Sequence, residues 1–231
     1  MEGILLVDKP ISWTSFDVVN YVRKIVASGE NKKPKNVKVG HSGTLDPFAS
    51  GLLVLLIGKN YTKRANELIK LDKTYEFTIH LGKTSSTGDP EGDITDYSCI
   101  NPSMEQIQEV ISHYIGKIQQ IPPSYSAIKV SGQRSYKLAS KGIKVEHQAR
   151  EIVINSLKII KYNYPLLKLI ADVSSGTYIR TLAEDIGKEL KSGAYTTQLR
   201  RLSIDKYKVS SALKVSEIDK DTIEQNIETL T

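Results

Sequence analysis

The feature that most constrains this chain is a glycine-rich segment, residues 40–51, which stands directly before an apolar run at residues 52–57. Its three glycines allow backbone angles that other residues avoid, while Pro47 fixes its own φ and biases Asp46 toward an extended conformation. Periodicity leaves the apolar run open between a buried strand and the start of a helix. We therefore predict a shaped loop that presents Asp46. Local chemistry alone favours a structural acid, because most Asp-Pro pairs initiate turns or cap helices.

Strand-like patterns recur along the rest of the chain. Residues 4–7 and 166–173 are apolar runs of strand length, and residues 75–81 alternate so that Tyr75 faces the apolar side. Residues 82–93 carry several acids, but their spacing does not match a calcium loop, so we expect a solvated turn there. With the helices described next, these strands predict a mixed α/β organisation.

Three amphipathic segments predict helices. We expect Ser15 to cap the first helix. Its expected apolar stripe is Phe16, Val19, Val22 and Val26. Ser103 and Gln106 form a capping box for the second helix. The third follows residues 174–177, which places Arg180 in its first turn.

Arg180 would then occupy an electrostatically unfavourable position, because the N-terminus of a helix carries partial positive charge. We therefore expect an anion beside it. The residues leave two candidates open, namely a nucleic-acid phosphate and a carboxylate such as Asp46.

Positive charge is concentrated in one segment. Residues 117–150 contain seven bases and one acid, so this segment alone carries a charge equal to the +6 of the whole chain. The bases are Lys117, Lys129, Arg134, Lys137, Lys141, Lys144 and Arg150. With Tyr125 and Tyr136, they suit a mobile arm that neutralises phosphates and offers aromatic surface to a base. A solvated basic hairpin fits the same residues equally well. A second lysine-rich stretch, residues 29–38, is interpreted as a polar connection.

Other features narrow the class of protein. Cys99 is the single cysteine, so no internal disulfide forms and a cytoplasmic location is expected. The N-terminus lacks signal-peptide features, and no apolar run approaches the length of a membrane span. The four scattered histidines give no zinc spacing, so we expect no metal. Phosphate-loop, dinucleotide-loop and nucleophile-elbow motifs do not occur, which disfavours ATP, NAD and serine-hydrolase chemistry.

Six segments, taken in order, carry a resemblance to a known family. They read Asp-Lys-Pro at 8–10 with Trp-Thr-Ser at 13–15, Gly-His-Ser-Gly-Thr-Leu-Asp-Pro at 40–47 with Ala-Ser-Gly at 49–51, Lys-Thr-Tyr-Glu at 73–76, Pro-Pro-Ser-Tyr-Ser-Ala-Ile-Lys at 122–129, Gly-Thr-Tyr-Ile-Arg-Thr at 176–181 and Leu-Arg-Arg-Leu at 199–202. This set resembles the TruB family of tRNA pseudouridine synthases from about residue 3 to about residue 209. Two positions depart from the family pattern: Ser12 replaces a glycine, so we expect a reshaped turn, and Ser85-Ser86 replace Thr-Asp.

The resemblance implies an α+β class and the pseudouridine synthase fold. That fold has a mixed, mostly antiparallel central sheet flanked by helices and loops, with a thumb-like RNA-binding insertion, expected here at about residues 122–150. We expect residues 1–231 to form a single catalytic domain without the RNA-binding PUA domain of many relatives. The implied activity is isomerisation of uridine to pseudouridine at uridine 55 in the T loop of transfer RNA.

The resemblance also assigns catalytic roles. Asp46 is the catalytic carboxylate, Arg180 pairs with it and keeps it ionised, and Tyr75 stacks on the flipped base. The isomerisation has no net redox change and no group donor, so we expect no cofactor. Uracil leaves as a delocalised anion, so a second carboxylate is not required. Whether Asp46 attacks C1′, adds to C6 or removes the C2′ proton stays open.

Supporting roles follow in the same way. Tyr178 and Leu199 match substrate-pocket positions, His41 matches a residue that helps displace the extruded nucleotide, and Lys9 with Pro10 matches a structural motif. The expected RNA-binding residues are Lys129, Arg134, Lys137, Lys141, Lys144 and Arg150. The expected partner is the T arm of transfer RNA, bound by a cytoplasmic monomer without an obligatory protein partner.

Two alternatives belong to other classes. A degenerate RNA-binding protein would use the same surface without catalysis, but the intact set of Asp46, Tyr75 and Arg180 argues against it. A guide-RNA-dependent subunit is disfavoured by the opening at residues 8–15 and by the expected absence of a PUA-like extension.

Overall fold

The computed structural model describes residues 1–126, 128–130, 132–143 and 145–229. The chain forms two compact units. The first unit comprises residues 1–74 and 200–231, and the second comprises residues 75–199.

The strands are β1 (Gly3–Lys9), β2 (Val39–His41), β3 (Ser50–Ile57), β4 (Lys73–Leu81), β5 (Lys83–Ser85), β6 (Ile94–Asp96), β7 (Gly116–Gln120), β8 (Lys129–Val130), β9 (Gln133–Arg134), β10 (Arg150–Asn163), β11 (Leu166–Val173), β12 (Ala194–Ile204), β13 (Tyr207–Lys208) and β14 (Leu213–Lys214). The α-helices are α1 (Ser15–Gly29), α2 (Lys59–Lys63), α3 (Ala65–Ile69), α4 (Met104–His113), α5 (Ser135–Ala139), α6 (Ile179–Glu189) and α7 (Lys220–Asn226).

In the first unit the strand order is β14-β1-β3-β12, and β2 adds to β3. β1 and β3 are antiparallel, whereas β1 with β14 and β3 with the end of β12 are parallel. The apolar run at residues 52–57 is therefore a strand. It is apolar without alternation because both of its faces are covered by protein.

Two cores lie on opposite faces of β3. Leu53, Leu55 and Ile57 pack in a cluster with α1, while Leu52, Val54 and Leu56 pack in a second cluster with Leu68 and Ile204. All six side chains of the run are completely buried. Burying a side chain of this size stabilises the fold by about 1.5–3 kcal/mol, so β3 holds the segment that precedes it firmly in place.

The start of α1 differs from the sequence prediction. Its N-cap is Thr14, whose side chain accepts a hydrogen bond from the Asp17 N–H while the Asp17 carboxylate accepts one from the Thr14 N–H. The prediction of Ser15 as the cap is wrong, because the partner that completes a capping box lies three residues after Thr14. Phe16 is 59% exposed, so its place in the buried stripe was also wrong. The buried positions are Ser15, Val18, Val19, Val22, Val26 and Ala27.

In the second unit the strand order is β12-β4-β11-β10-β7, with β10 antiparallel to both of its neighbours. The predicted alternation at residues 75–81 is confirmed, since Tyr75, Phe77, Ile79 and Leu81 are all buried. The predicted capping box of α4 is also present, with Ser103 as N-cap and Gln106 as its partner. Mixed and mostly antiparallel sheets combined with helices confirm the α+β class.

The acidic segment at residues 82–93 is not the solvated turn that we expected. β5 pairs with β6 in an antiparallel hairpin, and the loop between them folds inward at Asp89, which is only 3% exposed. The Asp89 carboxylate accepts hydrogen bonds from the Thr87 hydroxyl and the Glu91 N–H. A buried carboxylate requires such partners, and its cationic partner is described below.

The segment predicted as a thumb contains the short antiparallel pair β8 and β9, followed by α5. Side-chain hydrogen bonds organise it: the Ser135 hydroxyl donates to the Ser124 carbonyl, 2.5 Å away, and lies 2.9 Å from Nε2 of His147. Among the residues that the structure describes, no helix is long and apolar enough to cross a membrane.

Candidate active site

Asp46 lies in the loop between β2 and β3, with its side chain partly exposed. The Asp46 carbonyl accepts a hydrogen bond from the Ala49 N–H at 3.1 Å, which closes a tight turn around Pro47. Gly43 and Gly51 have φ angles of +98° and +104°, conformations that other residues rarely adopt. The predicted shaped loop is therefore present.

The residues on either side of Asp46 are held by the first residue of α1 and by the turn before that helix. The Ser15 hydroxyl donates to the Leu45 carbonyl at 3.1 Å and accepts from the Leu45 N–H at 2.8 Å. The Ser12 N–H donates to the Pro47 carbonyl at 2.9 Å. Ser12 itself has φ +68°, a left-handed conformation that favours the glycine of the family pattern.

Lys9 holds the same loop through backbone carbonyls. Its side chain is completely buried, and its ammonium donates to the carbonyls of Trp13 at 2.5 Å, Pro10 at 2.9 Å and Pro47 at 3.4 Å. These carbonyls replace the water that a buried ammonium loses. Lys9 thus links the turn after β1 to the residue that follows Asp46.

Arg201 holds the other end of the loop and is a residue that sequence reasoning missed. It is 1% exposed, and its guanidinium donates to the carbonyls of Leu52 at 2.7 Å and Gly43 at 3.0 Å. Burial and the charge of Arg201 lower the pKa of neighbouring Lys73 to about 8. The Leu-Arg-Arg-Leu motif contained the signal, since the second arginine takes an inward-facing position in β12.

In the second unit, Arg180 lies in the first turn of α6 and is 5% exposed. Its Nη1 lies 3.1 Å from a carboxylate oxygen of Asp89 and donates to the Thr87 carbonyl at 2.8 Å. Its Nη2 donates to the Tyr125 carbonyl at 2.7 Å. Asp89 is thus an anion beside Arg180 that we did not foresee, because the segment containing it was interpreted as solvated. Pairing of Arg180 with Asp46 stays a prediction.

Gln120 is a second residue that the sequence did not reveal. It is 2% exposed, and its amide donates to the Tyr178 carbonyl at 3.0 Å and accepts from the Tyr178 N–H at 2.8 Å. This two-point contact fixes the backbone at the N-cap of α6. Tyr75 and Leu199, the other predicted pocket residues of this unit, are 8% and 9% exposed.

One acid on α6 has an altered pKa. Burial raises the pKa of Glu184 to about 7, against the opposing effect of the Arg180 charge. Glu184 also lies close to the backbone of Gly88, because a Cβ at that glycine would come within 2.7 Å of its carboxylate. Glu184 is therefore packed against the hairpin that carries Asp89.

The predicted RNA-binding residues differ in how far the structure describes them. Arg134, Lys137, Lys141 and Arg150 are exposed. Lys144 lies outside the described residues, and only the backbone of Lys129 is described. The described residues contain no group of acids, histidines or cysteines arranged to hold a metal ion.

The predicted site residues divide between the two units. The first unit contains Lys9, Pro10, His41 and Asp46, with Lys9 and Asp46 brought into one hydrogen-bonded loop assembly. The second unit contains Tyr75, Tyr178, Arg180, Leu199 and the thumb segment.

The model of the TruB family pseudouridylate synthase N-terminal domain matches residues 31–179. This chain belongs to the TruB family. It is 39% identical to the tRNA pseudouridine synthase B of Chlamydia pneumoniae, covering 94% of this chain and 89% of that protein. It is 42% identical to that of Parabacteroides distasonis, covering 97% and 94%.

A solved structure supports the same fold. The Cbf5-Nop10-Gar1 complex contains a chain that superposes on this TruB family member with a TM-score of 0.72 at 25% identity. The match covers 98% of this chain and 57% of that chain. The predicted pseudouridine synthase fold is thereby confirmed.

Proposed function

We propose that this protein isomerises uridine to pseudouridine in transfer RNA, at uridine 55 of the T loop. The observation that carries the proposal is the loop around Asp46: it keeps the family motif and is fixed at the residues on both sides of the carboxylate. The similarity to tRNA pseudouridine synthases over nearly the whole chain supports transfer RNA as the substrate.

The reaction breaks the bond between C1′ and N1 of uridine, rotates the uracil and joins C1′ to C5. The C5 proton is released and N1 gains a proton, so atoms and electrons balance without a donor or an oxidant. The carboxylate of Asp46 serves the step at C1′, C6 or C2′. Each of these routes requires the carboxylate to be held at a fixed position, which the hydrogen bonds to Leu45 and Pro47 supply.

We assign the remaining site residues to base and sugar recognition. Tyr75 stacks on the flipped uracil, and Tyr178 with Leu199 lines the pocket. Arg180 orients Asp46 and keeps it ionised, and its own position is set by Asp89. His41 fills the space that the extruded nucleotide leaves.

RNA binding supplies the free energy for extrusion, which costs a few kcal/mol. The exposed bases Arg134, Lys137, Lys141 and Arg150, with Lys129 and Lys144, are proposed to neutralise phosphates of the T arm. We further propose that residues 1–231 form a single catalytic domain that acts in the cytoplasm as a monomer, without a cofactor or an obligatory protein partner.

The position of the product tests the proposal. A tRNA transcript is incubated with the protein alone, without guide RNA, and pseudouridine is mapped by carbodiimide modification and primer extension. We expect one stop, at uridine 55, and none in a transcript with cytidine at that position. A stop at another uridine would refute the assigned target, and no stop at all would refute the activity.

A further inference from the structure

The first unit contains a basic cavity that the proposed chemistry does not use. It has a volume of about 560 Å³ and lies between α1, the turn at Pro34–Asn36, β2 and α2. Its lining combines four bases with uncharged residues of the same elements. We call the cavity with its four bases, Arg23, Lys24, Lys35 and Lys38, the basic groove. Two of these bases come from the lysine-rich stretch that the sequence suggested was only a connection.

The charge of the basic groove is not compensated by acids. The lining contains no acidic residue, and within the described part of the chain no carboxylate forms an ion pair with any of the four bases. Other bases of the same unit do have acidic neighbours, since Lys32 pairs with Glu30 and Arg64 pairs with Glu67, each at 2.9 Å. Four uncompensated cations around one concave surface favour a polyanion.

Arg23 is held in a fixed position within this groove. Its guanidinium donates to the Asn20 side-chain oxygen at 2.8 Å and to the Val39 carbonyl at 3.0 Å, and lies 5.7 Å from the centre of the Phe16 ring. A guanidinium has five N–H donors, so these two bonds leave others for a ligand. A pre-positioned arginine loses little entropy on binding and matches the geometry of a phosphate.

We propose that the basic groove binds phosphates of the RNA backbone, as a contact surface additional to the thumb. This inference rests on the proposed function. The volume lies within the range of small-molecule and cofactor pockets and exceeds what a single phosphate needs. Gly40 lines the groove and directly precedes His41, which is proposed to act beside the extruded nucleotide. Phosphates in the groove would therefore belong to the same RNA whose uridine is modified.

The test replaces Lys24, Lys35 and Lys38 together by alanine. The matched control replaces Lys70, Lys158 and Lys161, three exposed lysines outside both the groove and the thumb, so that the net charge changes equally. The dissociation constant for full-length tRNA is measured by fluorescence anisotropy at several salt concentrations. Tritium release from tRNA labelled at uracil C5 gives the maximal rate at saturating RNA.

We expect the groove variant to bind tRNA about 10- to 50-fold more weakly than the control. The slope of its affinity against salt concentration, both on logarithmic scales, should be shallower by the amount that about two phosphate contacts contribute. Its maximal rate should stay within about twofold of wild type. A variant with arginine at the same three positions keeps the charge and should bind tRNA as wild type does. Weak binding by the alanine variant alone would therefore result from lost charge and not from misfolding. Equal dissociation constants and salt slopes in the groove and control variants would overturn the inference.

The two proposals fail in distinguishable ways. If wild-type protein releases no tritium, the activity is refuted, while the comparison of dissociation constants still decides whether the groove binds RNA. If wild-type protein is active and the groove variant loses only its maximal rate, the groove is not an RNA-binding surface. A groove that takes a small anion instead of RNA would likewise leave tRNA affinity unchanged.

Discussion

Buried cations position the Asp46 loop through backbone carbonyls. Lys9 and Arg201 are almost completely removed from water, and each donates to carbonyls at or beside the loop. A buried ammonium costs several kcal/mol of desolvation unless its donors are satisfied. The carbonyl of Pro47 in turn accepts a hydrogen bond from the charged ammonium of Lys9, so the geometry of the Asp46 loop depends on Lys9.

The first prediction concerns Lys9→Met. Methionine has a similar length but no donor, so the carbonyls of Trp13 and Pro47 lose their charged partner. We expect a loss of about 1–3 kcal/mol in the free energy of unfolding and a fall in kcat of at least tenfold, with little change in KM. Urea denaturation and tritium-release kinetics check the two effects.

Lys70→Met is the matched control, because Lys70 is exposed and makes none of these contacts. Should Lys9→Met retain wild-type kcat at a temperature where it is fully folded, the loop would not depend on Lys9.

At the scale of elements, the start of α1 has two separate tasks on adjacent residues. Thr14 caps the helix, whereas Ser15 turns inward and holds Leu45. The sequence contained the information for the cap, since Asp17 stands three residues after Thr14. The inward bond of Ser15 joins residues thirty positions apart in the chain and depends on tertiary packing, so no local pattern predicts it.

The second prediction compares alanine at these two positions. Thr14→Ala should destabilise the protein by about 1 kcal/mol through loss of the cap, with kcat unchanged. Ser15→Ala should lower kcat severalfold, because the residue preceding Asp46 loses both hydrogen bonds. Thermal unfolding and single-turnover rates measure the effects. Equal kcat values for the two variants would contradict the separation of tasks.

The third prediction concerns Glu184 on α6. Its pKa in the folded protein is raised to about 7 from its ordinary 4.5, so the folded state binds this proton more tightly than the unfolded state. The contribution of Glu184 to the free energy of unfolding is therefore fully present below pH 4.5 and is lost as the pH rises through about 7. Glu184→Gln removes this titration, so above pH 7 the variant should be more stable than wild type by about 1–3 kcal/mol, allowing for partial exposure.

Urea denaturation of both proteins between pH 4 and pH 8 checks this prediction. A stability difference that does not change with pH would show that Glu184 is ionised at its ordinary pKa in the folded protein.

For the whole molecule, sequence patterns predicted the elements better than their long-range contacts. The alternation at residues 75–81 predicted a strand with one apolar face, and that strand is present. The apolar run at residues 52–57 indicated burial but left strand and helix open, and the structure makes it a strand. The burial of Asp89 depends on Arg180, which lies about ninety residues further along the chain. No local pattern contains that contact, and the acidic loop therefore looked solvated.

The candidate site shows the same difference between what local patterns predict and what long-range contacts determine. The family motifs located Asp46, Tyr75 and Arg180, but the residues that fix their surroundings, Arg201 and Gln120, act through backbone atoms of distant segments. Such contacts depend on how strands and loops pack, and only the three-dimensional structure reveals them.

Tritium release tests the central claim most directly. A tRNA transcript labelled with tritium at uracil C5 is incubated with wild-type protein alone and with Asp46→Asn, which is nearly isosteric but lacks the carboxylate. We predict stoichiometric release by wild type and at least a thousandfold slower release by Asp46→Asn, with the affinity for tRNA retained. Release by Asp46→Asn at the wild-type rate, or none by wild type, would contradict the account.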